Sequence, residues 1–223
     1  MRYLKHIKII LSISIIAVCI GCNDMDKIHE QYLGGEIIYS GKLDTLLVRP
    51  GMYRAQLEGY THLLGNSNKV IIEFDNRTEV FDIDNNVSEI YSVIIENLEE
   101  DFYEFDVTTQ DQEGNVSVPQ TVSGYAVGDI FVEDQSPREI DDFTFETNGN
   151  FVNFFGNAES EFVIFTTLDY DNENNEVVRD TLFFEDDKVK LIDFLPLGNL
   201  TTQSYVQSGL RGIDTIALEP VSH

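Results

Sequence analysis

The chain contains no tryptophan, and its only two cysteines, Cys19 and Cys22, lie near the N-terminus. The rest of the sequence therefore has no thiol for a disulfide, a thiolate zinc site, an iron–sulfur centre or a cysteine nucleophile. Histidine is also scarce, and beyond residue 22 it occurs only at His29, His62 and His223. The classes of chemistry that depend on cysteine are excluded, and few imidazoles remain to act as a base.

Basic residues are few as well. The chain has 14 Lys and Arg residues against 40 Asp and Glu residues, which gives a formal net charge of −26 at pH 7. Such a surface repels the phosphates of nucleic acids and of anionic lipid headgroups. We therefore exclude nucleic acid as a partner and interpret the charge as a source of solubility at a crowded surface.

Catalytic motifs are absent from the sequence. It contains no G-x-S-x-G elbow, no H-E-x-x-H pair and no glycine-rich phosphate loop. His62 falls in a predicted loop, GYTHLLGNSNK, where we interpret it as a solvated side chain. No carboxylate pair can be singled out as the acid and base of a glycosidase. We predict a protein that is not an enzyme, with no catalytic residue, no cofactor and no bound metal.

The N-terminal segment has the three parts of an export signal. A basic start is followed by an apolar run at residues 9–20 and then by Gly21 and Cys22. The apolar run is shorter than the ~20 residues that a transmembrane helix needs. We predict a signal peptide at residues 1–21; a short signal anchor, or a signal peptide cut elsewhere with Cys22 left as a free thiol, are the alternatives.

The tripeptide IGC at residues 20–22 resembles a bacterial lipobox, although Cys19 stands where Leu or Val is usual. The acidic residues Asp24 and Asp26 resemble the export signal of Bacteroidetes-type surface lipoproteins. The resemblance implies that Cys22 carries a lipid, that residues 22–35 form an acidic tether, and that the protein is anchored in the outer membrane facing the cell exterior.

From residue 36 onward, short runs rich in Val, Ile, Phe, Tyr and Thr alternate with turns of Gly, Asn and Asp. In residues 53–57 and 103–107 the apolar side chains recur at every second position, which is typical of half-buried antiparallel strands. The length fits two β-sandwiches of ~100 residues each. The predicted strands are 36–39, 53–57, 70–74, 79–83, 91–95, 103–109, 120–125, 143–147, 151–155, 162–168, 177–184, 188–194, 204–208 and 215–218.

Residues 98–117, LEEDFYEFDVTTQDQEGNVS, resemble the sixth and seventh strands of the fibronectin type III fold. The resemblance implies that the Tyr103 hydroxyl binds nearby backbone as a tyrosine corner, and that Phe74 replaces the missing core tryptophan. Leu195 and Tyr205 repeat the corner pattern in the second half. The residues that match the family pattern are Leu98, Tyr103, Asp111, Gly114, Asn115 and Ser117.

With the N-terminal segment and the stretch GGEIIYSGKLD, residues 1–128 closely resemble a domain-of-unknown-function family of Bacteroidetes-type surface lipoproteins. We therefore expect an all-β chain with two tandem immunoglobulin- or fibronectin type III-like β-sandwiches, at residues 36–128 and 129–223. The resemblance implies a non-catalytic binding or spacer module, accessory to glycan capture, whose partner is a polysaccharide or an envelope protein. The alternatives are a structural subunit of an envelope complex and a carbohydrate-active enzyme.

Three further groups of residues are candidates for function. The acidic segment 169–176 places oxygen ligands at alternate positions, as in a calcium loop, although a polar hairpin turn is the favoured interpretation. Aromatic side chains near predicted loops could stack on sugars, but no binding site is assigned to them. Three Asp-Thr-apolar triplets match the O-glycosylation signal of Bacteroidetes-type export, with ordinary strand-edge threonines as the alternative. The aromatic residues are Tyr60, Tyr125 and Tyr170, and the threonines are Thr45, Thr181 and Thr215.

Overall fold

The computed structural model describes residues 38–84, 89–156, 162–195 and 198–223. Residues Ser40–His223 form one compact unit, and of the other unit, Met1–Tyr39, only Ile38 and Tyr39 are described. The predicted signal peptide, Cys22 and the acidic tether therefore lie outside the described residues. The strand predicted at 36–39 is wrong in its described half, because Ile38 and Tyr39 are exposed and belong to no strand.

The described chain is built almost entirely from strands, joined at one point by a single helical turn. The first group of strands is β1 Asp44–Gly51, β2 Arg54–Tyr60, β3 Ser67–Phe74, β4 Arg77–Asp82, β5 Ile90–Glu96, β6 Asp101–Asp111 and β7 Gln120–Ala126, followed by α1 Asp129–Glu133. The second group is β8 Ile140–Glu146, β9 Gly149–Phe154, β10 Val163–Asp171, β11 Val177–Phe183, β12 Lys188–Leu191, β13 Leu200–Gln207, β14 Thr215–Ala217 and β15 Val221–Ser222.

Strands β1–β7 form the first sandwich, in which a sheet of order β1-β2-β5 faces a sheet of order β4-β3-β6-β7. All pairings in it are antiparallel. Along β6, Tyr103, Phe105 and Val107 point into the core and the acidic residues between them point out, as the alternation predicts. Phe74 is buried beside Tyr103 and Phe105, with ring centroids 6.1 and 5.2 Å away, where the core tryptophan was expected to be replaced.

Strands β8–β15 form the second sandwich. One sheet has the order β12-β9-β8, and the other has the order β11-β10-β13-β14, with β15 also paired to β13. The strand order therefore repeats that of the first sandwich, and a second buried core lies between the sheets around Val152, Leu168 and Leu182. The predicted all-β fold with tandem sandwiches is confirmed.

Strand β1 was not predicted, because Pro50 and Gly51 suggest a turn. Proline is tolerated here since β1 is at the edge of its sheet, where a missing N–H disrupts no ladder. The strand also packs closely on β7, where a side chain at Gly124 would collide with Val48. The sequence pattern around residue 46 therefore does not predict this strand, whose position is set by tertiary packing.

The buried side chain of Arg138 connects the two sheets of the second sandwich. The residue is only 7% exposed, and its guanidinium donates hydrogen bonds to the carbonyl oxygens of Phe155, Phe183 and Asp186. The Phe155 carbonyl follows β9 of one sheet, and the Phe183 and Asp186 carbonyls lie at and just beyond the end of β11 of the other. Burial lowers the pKa of Arg138, since the charged form loses hydration. Arg138 therefore links the two sheets through main-chain acceptors.

Candidate functional site

The predicted tyrosine corner is present in the first sandwich. The Tyr103 hydroxyl accepts a hydrogen bond from the Glu99 N–H and donates one to the Glu99 carbonyl oxygen, both at 3.0 Å. The turn after β6 is equally ordered, because Asp111 accepts hydrogen bonds from the main chain of Glu113 and Asn115 and from the Asn115 amide. These hydrogen bonds hold the Asp111 pKa below its ordinary value, with the Asn115 side chain as the largest cause. The residues of this region that match the fibronectin type III pattern, Tyr103 and Asp111, thus hold the main chain of the corner and the turn.

The corner predicted at Tyr205 is wrong. Tyr205 lies in the middle of β13, where its ring stacks on Phe165 at 4.5 Å and its hydroxyl donates to the Gln203 side chain. Tyr170, near the end of β10, has a buried hydroxyl that accepts from the Ile192 N–H and donates to Asp180. Burial raises the pKa of Tyr170 to about 12.

The three Asp-Thr-apolar triplets lie on β1, β11 and β14, and all three threonines are exposed. In each triplet the aspartate carboxylate contacts a distant part of the chain. Asp44 lies 3.1 Å from the His62 ring, Asp180 accepts from Tyr170, and Asp214 accepts from Arg54. The threonines Thr45, Thr181 and Thr215 are accessible for modification, and glycosylation of each remains a prediction.

His62 lies between β2 and β3, as expected for a loop residue. Its ring is 60% exposed, and its one described charged neighbour is Asp44, which is itself 38% exposed. The pair therefore has the geometry of a surface ion pair, which contributes little to stability.

The acidic segment 169–176 is a hairpin turn between β10 and β11, which confirms the favoured interpretation. The carboxylate of Asp169 is held by Arg179 and that of Asp171 by Asn199. Asn172 is buried and its side-chain oxygen accepts from the Asn174 and Glu176 N–H groups. Within the described ranges, no group of three or more carboxylate, histidine or cysteine side chains could hold a metal ion.

The three tyrosines that were candidates for sugar stacking differ in their burial. Tyr170 is buried, and Tyr125 is half-buried with its hydroxyl accepting from the Leu210 N–H of the second sandwich. Tyr60 alone of the three is exposed, beside His62. The structure therefore does not bring the three rings together into one stacking surface.

Sequence reasoning missed the contact between the two sandwiches, which we call the junction: residues 50–54 of the first sandwich and 208–214 of the second. The Arg54 guanidinium donates to both carboxylate oxygens of Asp214, with Nε 3.1 Å from Oδ2, and the Met52 N–H donates to Oδ2 at 2.7 Å. Arg54 is the main reason that the Asp214 pKa lies below its ordinary value. The carboxylate thus accepts from a side chain and from the main chain of the other sandwich.

Further hydrogen bonds at the junction use the Pro50 carbonyl oxygen. It accepts from the Ser208 hydroxyl at 2.9 Å and from the Ile213 N–H at 2.8 Å. Gly209, with φ of +98°, lies against the Tyr125 hydroxyl, where a side chain would collide. No residue pattern in the sequence signals this pairing, because its partners are about 160 positions apart.

Helix α1 lies in the linker between β7 and β8 and contacts both sandwiches. The Glu100 carboxylate accepts from the Ile130 and Phe131 N–H groups at 2.8 and 2.7 Å, so the first sandwich holds the start of the helix. Phe131 and Val132 pack against the small core cluster of Val163, Val206 and Leu218 in the second sandwich. The linker is therefore fixed at both ends.

Surface cavities among the described residues include a small one of about 280 Å³ between Glu100, Tyr125 and Phe131. Two others are larger. One, of about 680 Å³, is lined mainly by polar residues of the β3–β4 turn and of β6, with Phe102 exposed beside Glu104 and Asp106. The other, of about 460 Å³, lies between α1 with the linker and residues 218–221. Among the residues described, no helix has the length and apolar character to cross a membrane.

The sheet order and the junction define a tandem fibronectin type III-like protein. The chain matches the model of DUF4998, a domain of unknown function, over residues 22–216, and it belongs to this family. The match extends the predicted family resemblance from the first sandwich into the second.

Among solved structures, the chain is similar to the crystal structure of chicken CNTN1 FN1-FN3 domains, with 12% identity and a TM-score of 0.42 over 81% of this chain and 68% of that one. It is also similar to a segment of two fibronectin type III domains from chicken tenascin, with 16% identity and a TM-score of 0.32 over 82% and 97% of the two chains. Both TM-scores are low, so the fold assignment depends on the sheet order. None of the curated proteins that were compared matches the chain.

Proposed function

We propose that this protein is a non-catalytic binding or spacer module, anchored to the outer membrane by a lipid on Cys22 and facing the cell exterior. The observation that supports it most is the junction. Neighbouring domains move relative to one another unless their interface holds them. A chain that fixes two sandwiches through Asp214, Pro50 and α1 would hold a binding surface at a set distance from the membrane.

The anchor is supported by sequence alone, through the lipobox resemblance at 20–22 and the acidic residues after it. Its test is intact-mass analysis of the membrane-extracted protein together with protease treatment of whole cells. A mature N-terminal Cys22 with the mass of a lipid, and a body lost to protease, are the expected results. Cys22→Ala should remove the lipid, whereas the matched Cys19→Ala variant should keep it. An unlipidated Cys22 in a protease-resistant body would contradict the proposal.

Glycan capture is the expected role from the family resemblance, and Tyr60 is the one exposed member of the predicted aromatic set. A glycan array probed with the wild-type protein and with Tyr60→Ala tests it. Binding that is lost in Tyr60→Ala but kept in Tyr205→Ala would support glycan capture, and an array without any bound glycan would count against it.

A structural subunit of an envelope protein complex is the second candidate. It is favoured by the dispersal of the aromatic candidates, since Tyr170 is in the core and Tyr125 is at the junction. Crosslinking on whole cells, followed by identification of the crosslinked proteins, distinguishes this role. A defined protein partner that is lost when the anchor is removed by Cys22→Ala would support it.

A further inference from the structure

The groove of about 460 Å³ beside α1 has an apolar floor. Val132 of the helix, Pro137 of the linker, and Leu218 and Val221 of the C-terminal segment line it. Leu218 is buried and Val132 is half-buried, so the floor is continuous with the small core cluster of the second sandwich. The volume is within the range of pockets that take small ligands or a few side chains.

The edge of a sheet borders this groove. Residues 218–220 connect β14 to β15, and in the part of the chain that the structure describes both strands pair with β13 only. Within the connection, the Leu218 N–H donates to the Ser204 carbonyl oxygen, the Leu218 carbonyl oxygen accepts from the Gln203 side chain, and Pro220 has no N–H. The outer side of an edge strand offers main-chain N–H and C=O groups to an added strand. Extended peptides are commonly bound in this way, with pockets for alternate side chains.

The rim of the groove is acidic. Asp129 and Glu133 of α1 and Glu219 of the opposite wall line it, and all three are exposed. No Lys or Arg is among the described residues that line it. The nearby Arg138 is buried and directs its guanidinium to the carbonyls beyond β9 and β11. A rim of this kind complements positive charge and repels acidic partners.

We propose that the groove binds an extended peptide segment of a protein partner, one in which basic and apolar side chains alternate. The apolar side chains enter the floor at Val132 and Leu218, the basic side chains meet the carboxylates of the rim, and the main chain lies along the edge at Glu219 and Val221. The inference deepens the proposed function and depends on it in one respect. One wall, α1, packs on the second sandwich through Val132 and is held at its start by Glu100 of the first sandwich, so a fixed arrangement of the sandwiches helps to set the width of the groove.

The test uses the full chain and a fluorescent peptide of alternating Lys and Val residues, followed by fluorescence anisotropy. Peptides of alternating Glu and Val, and of alternating Lys and Ser, separate the contribution of charge from that of the apolar floor. We expect the Lys–Val peptide to bind and both others to bind at least about tenfold more weakly. Equal binding of the Lys–Ser peptide would overturn the proposal, since net charge alone would then explain the attraction.

Charge reversal locates the site. Glu133→Lys with Glu219→Lys should weaken Lys–Val binding by about tenfold or more. The matched control, Glu113→Lys with Glu146→Lys, changes the net charge equally at exposed positions outside the groove and should leave binding close to wild type. Similar losses in both variants, or no binding of the Lys–Val peptide to the wild type, would overturn the proposal.

Hydrogen–deuterium exchange on the wild-type protein gives a readout without any substitution. The bound peptide should slow exchange at residues 129–133 and 218–221. Protection elsewhere, or the appearance of a dimer in sedimentation with the groove protected in the absence of peptide, would also overturn it. If the protein does not bind the Lys–Val peptide but its two sandwiches remain at a fixed distance, the peptide-binding proposal is wrong and the proposed spacer function stands.

Discussion

Asp214 of the second sandwich binds the first sandwich through both of its carboxylate oxygens, one of which accepts hydrogen bonds from the Arg54 side chain and from the Met52 N–H. Both charged groups are largely shielded, with side-chain exposures of 34% for Arg54 and 17% for Asp214. A charge-assisted, two-pronged contact of this kind fixes orientation as well as distance. The Asp214 carboxylate is therefore one of the contacts that set the relative position of the sandwiches, together with the Pro50 carbonyl oxygen and α1.

The pair should show measurable coupling. We expect Arg54→Ala and Asp214→Ala each to lower the free energy of unfolding by about 1–2 kcal/mol, because each leaves a partly shielded charge without its partner. In a double-mutant cycle the coupling energy should be about 1 kcal/mol, and urea unfolding of the four proteins measures it. The exposed pair Asp169 and Arg179 is the matched control and should couple more weakly.

Protonation of Asp214 should weaken the junction only at a pH of about 4 or below. The pKa of Asp214 lies below its ordinary value of 3.8, chiefly because of Arg54. A carboxyl group whose pKa is lower in the folded state than in the unfolded state stabilises the folded protein fully when the pH is above the unfolded-state pKa. This stabilisation is lost as the pH falls through the folded-state pKa. We expect the stability difference between wild type and Asp214→Asn to be constant from neutral pH to about pH 4 and to shrink below it. A difference that already shrinks near pH 6 would contradict this cause.

Loss of a tyrosine hydroxyl should lower the free energy of unfolding clearly at Tyr103 of the first sandwich and only slightly at Tyr205 of the second. Tyr103→Phe removes a buried hydroxyl that both donates to and accepts from the Glu99 main chain, so it should cost about 1–2 kcal/mol of unfolding free energy. Tyr205→Phe removes a hydroxyl bonded to a side chain on the face of β13 and should cost less than about 0.5 kcal/mol. Chemical denaturation compares them directly, and equal losses would show that Tyr205 has a role that its contacts do not explain.

Removing the buried guanidinium should weaken the second sandwich strongly. Arg138→Met leaves three carbonyl acceptors without a donor, and we expect a loss of about 2–4 kcal/mol. Arg138→Lys should recover little, since an ammonium group cannot reproduce the planar fork of donors. Arg179→Met, at an exposed ion pair, is the control and should cost under about 1 kcal/mol. A loss below about 1 kcal/mol for Arg138→Met would refute its linking role.

Local pattern was enough to predict most of the fold. Alternation of apolar and polar residues predicted the strands around Leu57 and Phe105, because their residues alternate between the core and the opposite face. It failed at β1, an edge strand that contains Pro50 and Gly51, and at Tyr205, which lies within β13 and donates to the Gln203 side chain rather than to the main chain. In both cases tertiary packing decided the outcome.

The candidate sites could be predicted only in part. The exposed loop at His62 and the hairpin at Asn172 follow from local composition. The junction could not be predicted, because Arg54 and Asp214 are distant in sequence and each looks like an ordinary surface charge. The triplet that contains Asp214 was considered as a glycosylation signal or an ordinary strand-edge threonine, and neither interpretation gave its carboxylate a role between the sandwiches.

The central claim, that the two sandwiches form one fixed spacer, is tested most directly by a distance measurement between them. The full chain with Cys19→Ser and Cys22→Ser has no other cysteine, so spin labels can be placed through Ser123→Cys on β7 and Thr181→Cys on β11, both exposed. Pulsed electron paramagnetic resonance should give one narrow distance distribution, which broadens when Asp214→Ala is added. A broad distribution in the protein that retains Asp214 would show that the sandwiches move independently and would contradict the account.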